Sequence, residues 1–202
     1  MKTTNLKERL LAVSAIFALS TTALVAAPSV ATAAPICTAK AAPTYGVYEE
    51  CVGVTSDGAQ YVVQFPWDFD GTLFLYTHGY RYPVDIPTIG YKVGKTPEPV
   101  PGRDVAEAQE IALGMLSKGY AVAGSGFTRK GWNADDALKT NVELIKLIRS
   151  EFPEVKKVIA WGSSLGSYIT QGLSEKHSKM IAAAGLLCPA AAIIFECFSD
   201  RP

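Results

Sequence analysis

A serine between two glycines is the strongest chemical signal in the sequence. Residues 162–166 read Gly-Ser-Ser-Leu-Gly, which matches the pattern G-x-S-x-G with Ser164 at its centre. The four apolar residues before this pattern predict a strand buried on both faces, and the residues after it can continue as a helix. A sharp turn from strand to helix would project the Ser164 hydroxyl outward as a nucleophile. Gly162 and Gly166 are expected there because the strand and the helix pass close to each other.

The pattern is short enough to occur by chance in loops, but the strand before it and the helix after it favour a nucleophile turn. The helix would offer unpaired N–H groups and a positive dipole end to the oxyanion of an acyl-transfer intermediate. The N–H of Leu165, the residue after the serine, is the expected first donor.

The chain from about residue 71 to residue 189 resembles the α/β-hydrolase superfamily. Within it, the chain is most similar to secreted bacterial serine hydrolases of the esterase, lipase or peptidase kind. The resemblance rests on three segments: 75–80 (Leu-Tyr-Thr-His-Gly-Tyr), 119–125 (Gly-Tyr-Ala-Val-Ala-Gly-Ser) and 162–166.

The resemblance also implies a second oxyanion donor. In this superfamily the loop after the third strand supplies it, and a His-Gly pair commonly marks that loop. The donor would then be the N–H of Gly79 or Tyr80. A turn glycine beside a histidine that bonds to backbone groups is the alternative interpretation. His78 precedes the nucleophile and lies on the wrong loop for the general base of this fold.

Hydrophobic periodicity and turn residues predict an α/β protein, and the resemblance implies a three-layer sheet of the α/β-hydrolase type. Antiparallel N-terminal strands would lead into a mostly parallel sheet built from β-α-β units. The predicted strands cover residues 45–54, 60–65, 72–76, 120–124, 158–161 and 181–188. The predicted helices cover residues 104–118, about 133–152 and the segment after Ser164. By the resemblance, the C-terminal strands of a complete hydrolase would be missing.

The sequence lacks a recognisable base and acid to activate Ser164. In the superfamily an Asp or Glu and then a His follow the serine. The sequence contains two histidines, and His177 is expected about 20 Å from Ser164, at the far end of the following helix. We therefore expect either a truncated serine hydrolase acting on an ester or related acyl bond, or a non-catalytic secreted remnant or binding protein. A peptidase or acyltransferase activity would fit the same turn.

Two further segments are candidates for lining a substrate cleft. The proline-rich segment 82–102 follows the presumed oxyanion loop and predicts either a cleft rim or a solvated loop. Residues 125–132 follow the end of a predicted strand, and Arg129 within them either grips a substrate carboxylate or is an ordinary surface arginine.

Residues 1–33 predict a signal peptide, and residues 34–202 a partial hydrolase domain. A basic start, a long apolar run and the small residues Ala31-Thr32-Ala33 form the expected cleavage pattern. A retained membrane anchor is the alternative, since the apolar run is marginally long enough to span a bilayer. We expect a secreted, extracellular protein with no stable membrane anchor after cleavage.

The charge balance and the cysteines restrict the partners. Nineteen basic and nineteen acidic residues give no net charge, so no nucleic-acid partner is expected, and the expected ligand is a small-molecule ester or acyl substrate.

In an oxidising compartment Cys37 and Cys51 are expected to form a disulfide. A second bridge between Cys188 and Cys197 is open, because Cys188 falls in an apolar strand where it would simply be buried. The spacing of cysteines and histidines suggests no metal, and no cofactor is expected.

Overall fold

The computed structural model describes residues 33–43, 45–90 and 105–190. The strands within this part of the chain are β1 (Ile36–Ala42), β2 (Gly46–Val54), β3 (Gln60–Phe65), β4 (Thr72–Thr77), β5 (Ala121–Ser125), β6 (Lys157–Ser163) and β7 (Ala183–Leu187). The α-helices are α1 (Gln109–Leu116), α2 (Ala134–Glu151) and α3 (Leu165–Lys176), and short 3-10 turns span Pro87–Ile89 and Ser178–Met180.

The seven described strands form one mixed sheet in the order β1-β2-β3-β5-β4-β6-β7. Strands β1, β2 and β3 are antiparallel to their neighbours, and β3 pairs antiparallel with β5. Strands β5, β4, β6 and β7 are parallel to one another. The predicted α/β architecture, with antiparallel N-terminal strands beside a parallel part, is confirmed.

Helices cover both faces of the sheet, which gives the predicted three layers. Alternating side chains of the strands point to opposite faces, as in β4, where Leu73 and Leu75 share a core with α2 and α3. Tyr76 of the same strand lies in a second core on the other face, with Ala112 and Leu116 of α1. Because β4, β5 and β6 are parallel to one another, their carboxyl ends lie at one edge of the sheet.

Strand β1 is absent from the sequence prediction. All but one of its residues are exposed, so it has no buried face and no alternating hydrophobic signal. It is held by its ladder with β2, in which Cys37 and Cys51 lie opposite each other. These two cysteines form the expected disulfide, with Cα atoms 3.9 Å apart.

Helix α1 is shorter than predicted. The hydrophobic periodicity predicts a helix over residues 104–118. The observed helix begins at Gln109, because Ala108 has an extended backbone. Val105 and Ala106 are buried in the α1-side core from a bend, so their apolar character reflects burial and not helical spacing. Residue 104 lies outside the described part.

Helix α2 matches its predicted range. Its buried residues include Asn141, Leu144, Ile145 and Ile148. Asn133 occupies the N-cap position without a side-chain capping bond, and its amide nitrogen donates to the Arg129 carbonyl.

Several sequence predictions concern residues outside the described part. They are the signal peptide up to residue 32, the proline-rich loop from residue 91 to residue 102, and the bridge partner Cys197. Cys188 is described, and it is exposed just after β7, which corrects the expectation that it is buried in a strand. No helix in the described ranges is long and apolar enough to cross a membrane.

Candidate active site

Ser164 lies at the junction between β6 and α3, as the G-x-S-x-G pattern predicts. Its backbone has φ 52° and ψ −122°, a strained conformation for a residue with a side chain. Its N–H donates to the carbonyl of Leu187 at the end of β7, at 3.0 Å. The residue is exposed, and among the described residues no side chain hydrogen-bonds to its hydroxyl. The turn therefore presents a free serine hydroxyl at the edge of the sheet.

Gly162 and Gly166 are required by the close packing around this turn. A Cβ atom on Gly162 would lie 2.5 Å from the Thr77 carbonyl oxygen and 2.7 Å from the carbonyl carbon of Gly166. A Cβ atom on Gly166 would overlap the Thr77 carbonyl and lie 2.8 Å from the His78 carbonyl oxygen. The backbone at the end of β4 thus passes directly against the turn, and neither glycine has room for a side chain.

The loop after β4 is fixed by two buried side chains. The Thr77 hydroxyl accepts a hydrogen bond from the Asn141 amide of α2, at 3.0 Å. The buried His78 ring donates from Nδ1 to the Gly79 carbonyl, at 2.7 Å, and packs on Phe127 with ring centroids 4.5 Å apart. Burial, assisted by the charge of Arg81, lowers the pKa of His78 to about 4. His78 is therefore neutral near pH 7, and its ring shapes the loop. The expectation that it is not the general base stays a prediction.

The three predicted oxyanion donors lie near Ser164. Leu165 is the first residue of α3, so its N–H has no acceptor within the helix. Gly79 is adjacent, since a Cβ atom on it would lie 3.6 Å from the Cβ of Ser164. Tyr80 follows in the same loop, with 43% of its surface exposed. Their assignment as donors stays a prediction.

An open cleft of about 310 Å³ adjoins the turn. It is lined by Tyr76, His78, Gly79, Tyr80, Arg81, Ala106, Glu107 and Ser163. We call it the Glu107 cleft, because the Glu107 carboxylate accepts hydrogen bonds from Ser163 and, at 3.2 Å, from the Tyr76 hydroxyl. Burial and the neighbouring Glu107 raise the pKa of Tyr76 to about 12, so this phenol stays a protonated donor.

Sequence reasoning missed Glu107, Ser163 and Ser167. Ser163 is the variable residue of the pattern, and Glu107 was placed within a predicted helix. The Ser167 hydroxyl lies 2.6 Å from the Gly162 carbonyl and 2.7 Å from the Leu187 carbonyl, which ties α3 to β6 and β7. None of these contacts has a sequence signal, because each joins segments distant along the chain or depends on the turn itself.

Other candidates lie away from Ser164. His177 is the C-cap residue of α3, at the end opposite the serine. Arg129 forms an ion pair with Asp136 at 2.8 Å. This pairing favours the interpretation of Arg129 as an ordinary surface arginine over a role in binding a substrate carboxylate. Glu49 lies close to Cys37 and Cys51, but the two sulfurs are bonded to each other and are not available as thiolate ligands.

The fold matches solved esterase structures at low sequence identity. An esterase of Pyrococcus furiosus, in two crystal forms, is 18% and 17% identical, with a TM-score of 0.50 in both. The alignments cover 72% and 77% of this chain and 52% and 56% of the esterase chains. A carboxyl esterase from Bacillus coagulans is 14% identical with a TM-score of 0.46, over 69% of this chain and 43% of its own. No protein-family profile and no curated protein sequence matches this chain.

The fold is that of the α/β-hydrolase superfamily. The resemblance that the three sequence segments carry is thereby confirmed at the level of the fold. The chain spans about half the length of the Pyrococcus furiosus esterase that it matches.

Proposed function

We propose that the protein is a secreted serine hydrolase that acts on an ester or a related acyl bond, with Ser164 as nucleophile. The observation that carries the proposal is the exposed Ser164 hydroxyl on a strained strand-to-helix turn whose flanking glycines press against the loop after β4. In the proposal, this turn orients a serine and backbone N–H groups toward one point, as acyl transfer requires. The esterase names of the structural neighbours support the same class of reaction.

In the proposed reaction, the Ser164 hydroxyl attacks the acyl carbon and forms a tetrahedral oxyanion. The N–H of Leu165 and that of Gly79 or Tyr80 would stabilise the oxyanion, while the elbow glycines Gly162 and Gly166 hold the turn. A serine needs a base to accept its proton, and no histidine contacts Ser164 in the described ranges. We therefore expect turnover by this chain to be orders of magnitude below that of a complete triad.

A fluorophosphonate probe, which reacts irreversibly with nucleophilic serines and so accumulates label even where turnover is slow, tests the nucleophile. We expect labelling of the wild type and none of Ser164→Ala, while Ser163→Ala serves as the neighbouring control and keeps the label. Equal labelling of the wild type and Ser164→Ala would overturn the assignment. Hydrolysis of 4-nitrophenyl esters by the same variants then measures turnover.

The second candidate function is a non-catalytic secreted binding protein or remnant with the same fold. It is favoured by one observation: in the described part of the chain, Glu107 bonds to Ser163 and His78 to a backbone carbonyl, and neither bonds to Ser164. This candidate predicts a well-folded, monomeric product that neither takes the probe nor hydrolyses esters. Activity that disappears in Ser164→Ala would exclude it.

Export through the predicted signal peptide is part of the proposal. The Cys37–Cys51 disulfide supports it, because such bridges persist in oxidising compartments. N-terminal sequencing of the protein from culture medium is expected to begin at Ala34. Recovery of full-length protein from the membrane fraction alone would favour a retained anchor.

A further inference from the structure

We propose that the Glu107 cleft selects acyl substrates that carry a protonated amine, with the Glu107 carboxylate as the group that binds the ammonium. This inference rests on the proposed function, because it places the amine beside a carbonyl held at Ser164. It adds a substrate class, which neither the fold nor the serine turn specifies.

The carboxylate of Glu107, an exposed residue, meets two hydroxyl donors in the cleft. Both the Tyr76 hydroxyl and the Ser163 hydroxyl donate to the same oxygen, Oε1. Within the described ranges, the second oxygen, Oε2, accepts no hydrogen bond. Because Tyr76 is 96% buried and packs on Trp161, with ring centroids 4.7 Å apart, it is a rigid donor. An exposed carboxylate with one oxygen bound to donors and the other free is suited to a charge-assisted bond with an ammonium group.

The position of Glu107 relates it directly to the proposed nucleophile. Its partner Ser163 precedes Ser164 in the chain, and Gly79 touches both serines. A Cβ atom on Gly79 would lie 3.6 Å from the Ser164 Cβ and 3.9 Å from the Ser163 Oγ. In the proposal, an acyl group held at Ser164 extends past Gly79 into the Glu107 cleft, whose lining includes Gly79 and Ser163.

Among the described residues that line the cleft, the other charged one is Arg81. Its charge acts on both His78 and Tyr76, so it opposes an ammonium and favours an anionic group. His78 is neutral and adds no charge to the cleft. Removal of the Glu107 charge should therefore weaken the binding of an ammonium group, and removal of the Arg81 charge should strengthen it. The two substitutions test the inference in opposite directions.

The experiment compares 4-nitrophenyl alaninate with 4-nitrophenyl propionate, which differ by the amine. Each kcat/KM is divided by the rate constant for spontaneous hydrolysis of the same ester, because the ammonium group also makes the acyl carbon more electrophilic. For the wild type we expect this corrected value to be about fivefold higher for the alanine ester, the size appropriate to an ion pair that remains partly exposed. Glu107→Gln should reduce this ratio to about one, and Arg81→Gln should increase it. Glu110→Gln in the first turn of α1, outside the cleft, should leave the ratio unchanged. A ratio near one in the wild type, or an equal ratio in Glu107→Gln, would overturn the inference.

A binding measurement separates this inference from the proposed function. Alaninamide and propionamide are titrated by NMR into Ser164→Ala, which cannot turn over substrate. Preferential binding of alaninamide that is lost on adding Glu107→Gln supports the amine site even if no ester is hydrolysed. Ester hydrolysis without an amine preference leaves the proposed function standing and rejects the amine site. If Glu107→Gln fails to fold by circular dichroism, the increase expected for Arg81→Gln decides, and an unchanged ratio there rejects the inference.

Discussion

The antiparallel and parallel sides of the sheet are held together by different means. On the antiparallel side, β1 is almost fully exposed and is joined to β2 by backbone bonds and the Cys37–Cys51 disulfide. On the parallel side, β4, β6 and α3 meet at the Ser164 turn through backbone contacts that leave no room for a Cβ atom. A covalent link stabilises the first side, and close packing stabilises the second.

This difference predicts which side of the sheet tolerates substitutions without loss of the site. A disulfide stabilises the protein by restricting the unfolded chain. It does not bury the β1 edge of the folded sheet, which stays exposed to solvent. Close backbone packing instead fixes the folded geometry, and it can hold a strained residue such as Ser164 only while every neighbour stays in place. Changes on the parallel side should therefore affect the site and the stability together, whereas changes at the β1 edge should affect stability alone.

The largest effect is expected from Gly166→Ala. The added methyl would overlap the Thr77 carbonyl, so we expect the free energy of unfolding to fall by about 4 kcal/mol or more and the probe label on Ser164 to be lost. Gly172→Ala in the same helix is the matched control, because its Cβ would lie 3.7 Å from Leu138; it should raise stability by about 1 kcal/mol. Urea denaturation measures both. Equal effects of the two substitutions would contradict the packing described for the turn.

The antiparallel side is tested by the double variant Cys37→Ser/Cys51→Ser. The bridge closes a loop of sequence separation 14, so its loss should cost about 3 kcal/mol in the free energy of unfolding. Probe labelling of Ser164 should be retained below the denaturation midpoint, because β3, β5 and β4 lie between this hairpin and β6. Cys188→Ser, at an exposed thiol, serves as the control and should change nothing. Loss of the label in the folded double variant would show that the two sides are coupled.

A smaller effect is expected from pH, through His78 in the loop after β4. Its pKa is about 4 in the folded protein, whereas the ordinary value for histidine, which applies to the unfolded chain, is 6.5. The unfolded chain therefore binds the proton more tightly. Stability is then complete above pH 6.5 and falls as the pH falls toward 4, by about 2 kcal/mol between pH 7 and pH 5. Urea denaturation at these two pH values measures the loss. His78→Asn should flatten this dependence and His177→Asn should not; a steep dependence in both variants would assign it to other groups.

Much of the fold could be predicted because its signals are local. The apolar runs of β4, β5 and β6 and the stripe of α2 mark buried elements within a few residues. Strand β1 and the start of α1 could not be predicted, because β1 has no buried face and Val105 and Ala106 are buried by a bend. Of the candidate site, the turn around Ser164 was visible, since its glycines and its neighbouring elements are contiguous in the chain.

The sequence by itself therefore determined the α/β architecture, the position of Ser164 and the two glycines that its turn needs. Only the tertiary structure decided that Thr77 is the group against which these glycines pack, that Asn141 holds Thr77, and that Glu107 meets Ser163 in a cleft beside the turn. The physical reason is that strand and helix patterns depend on neighbours along the chain, whereas these contacts arise between elements that come together only when the sheet is assembled.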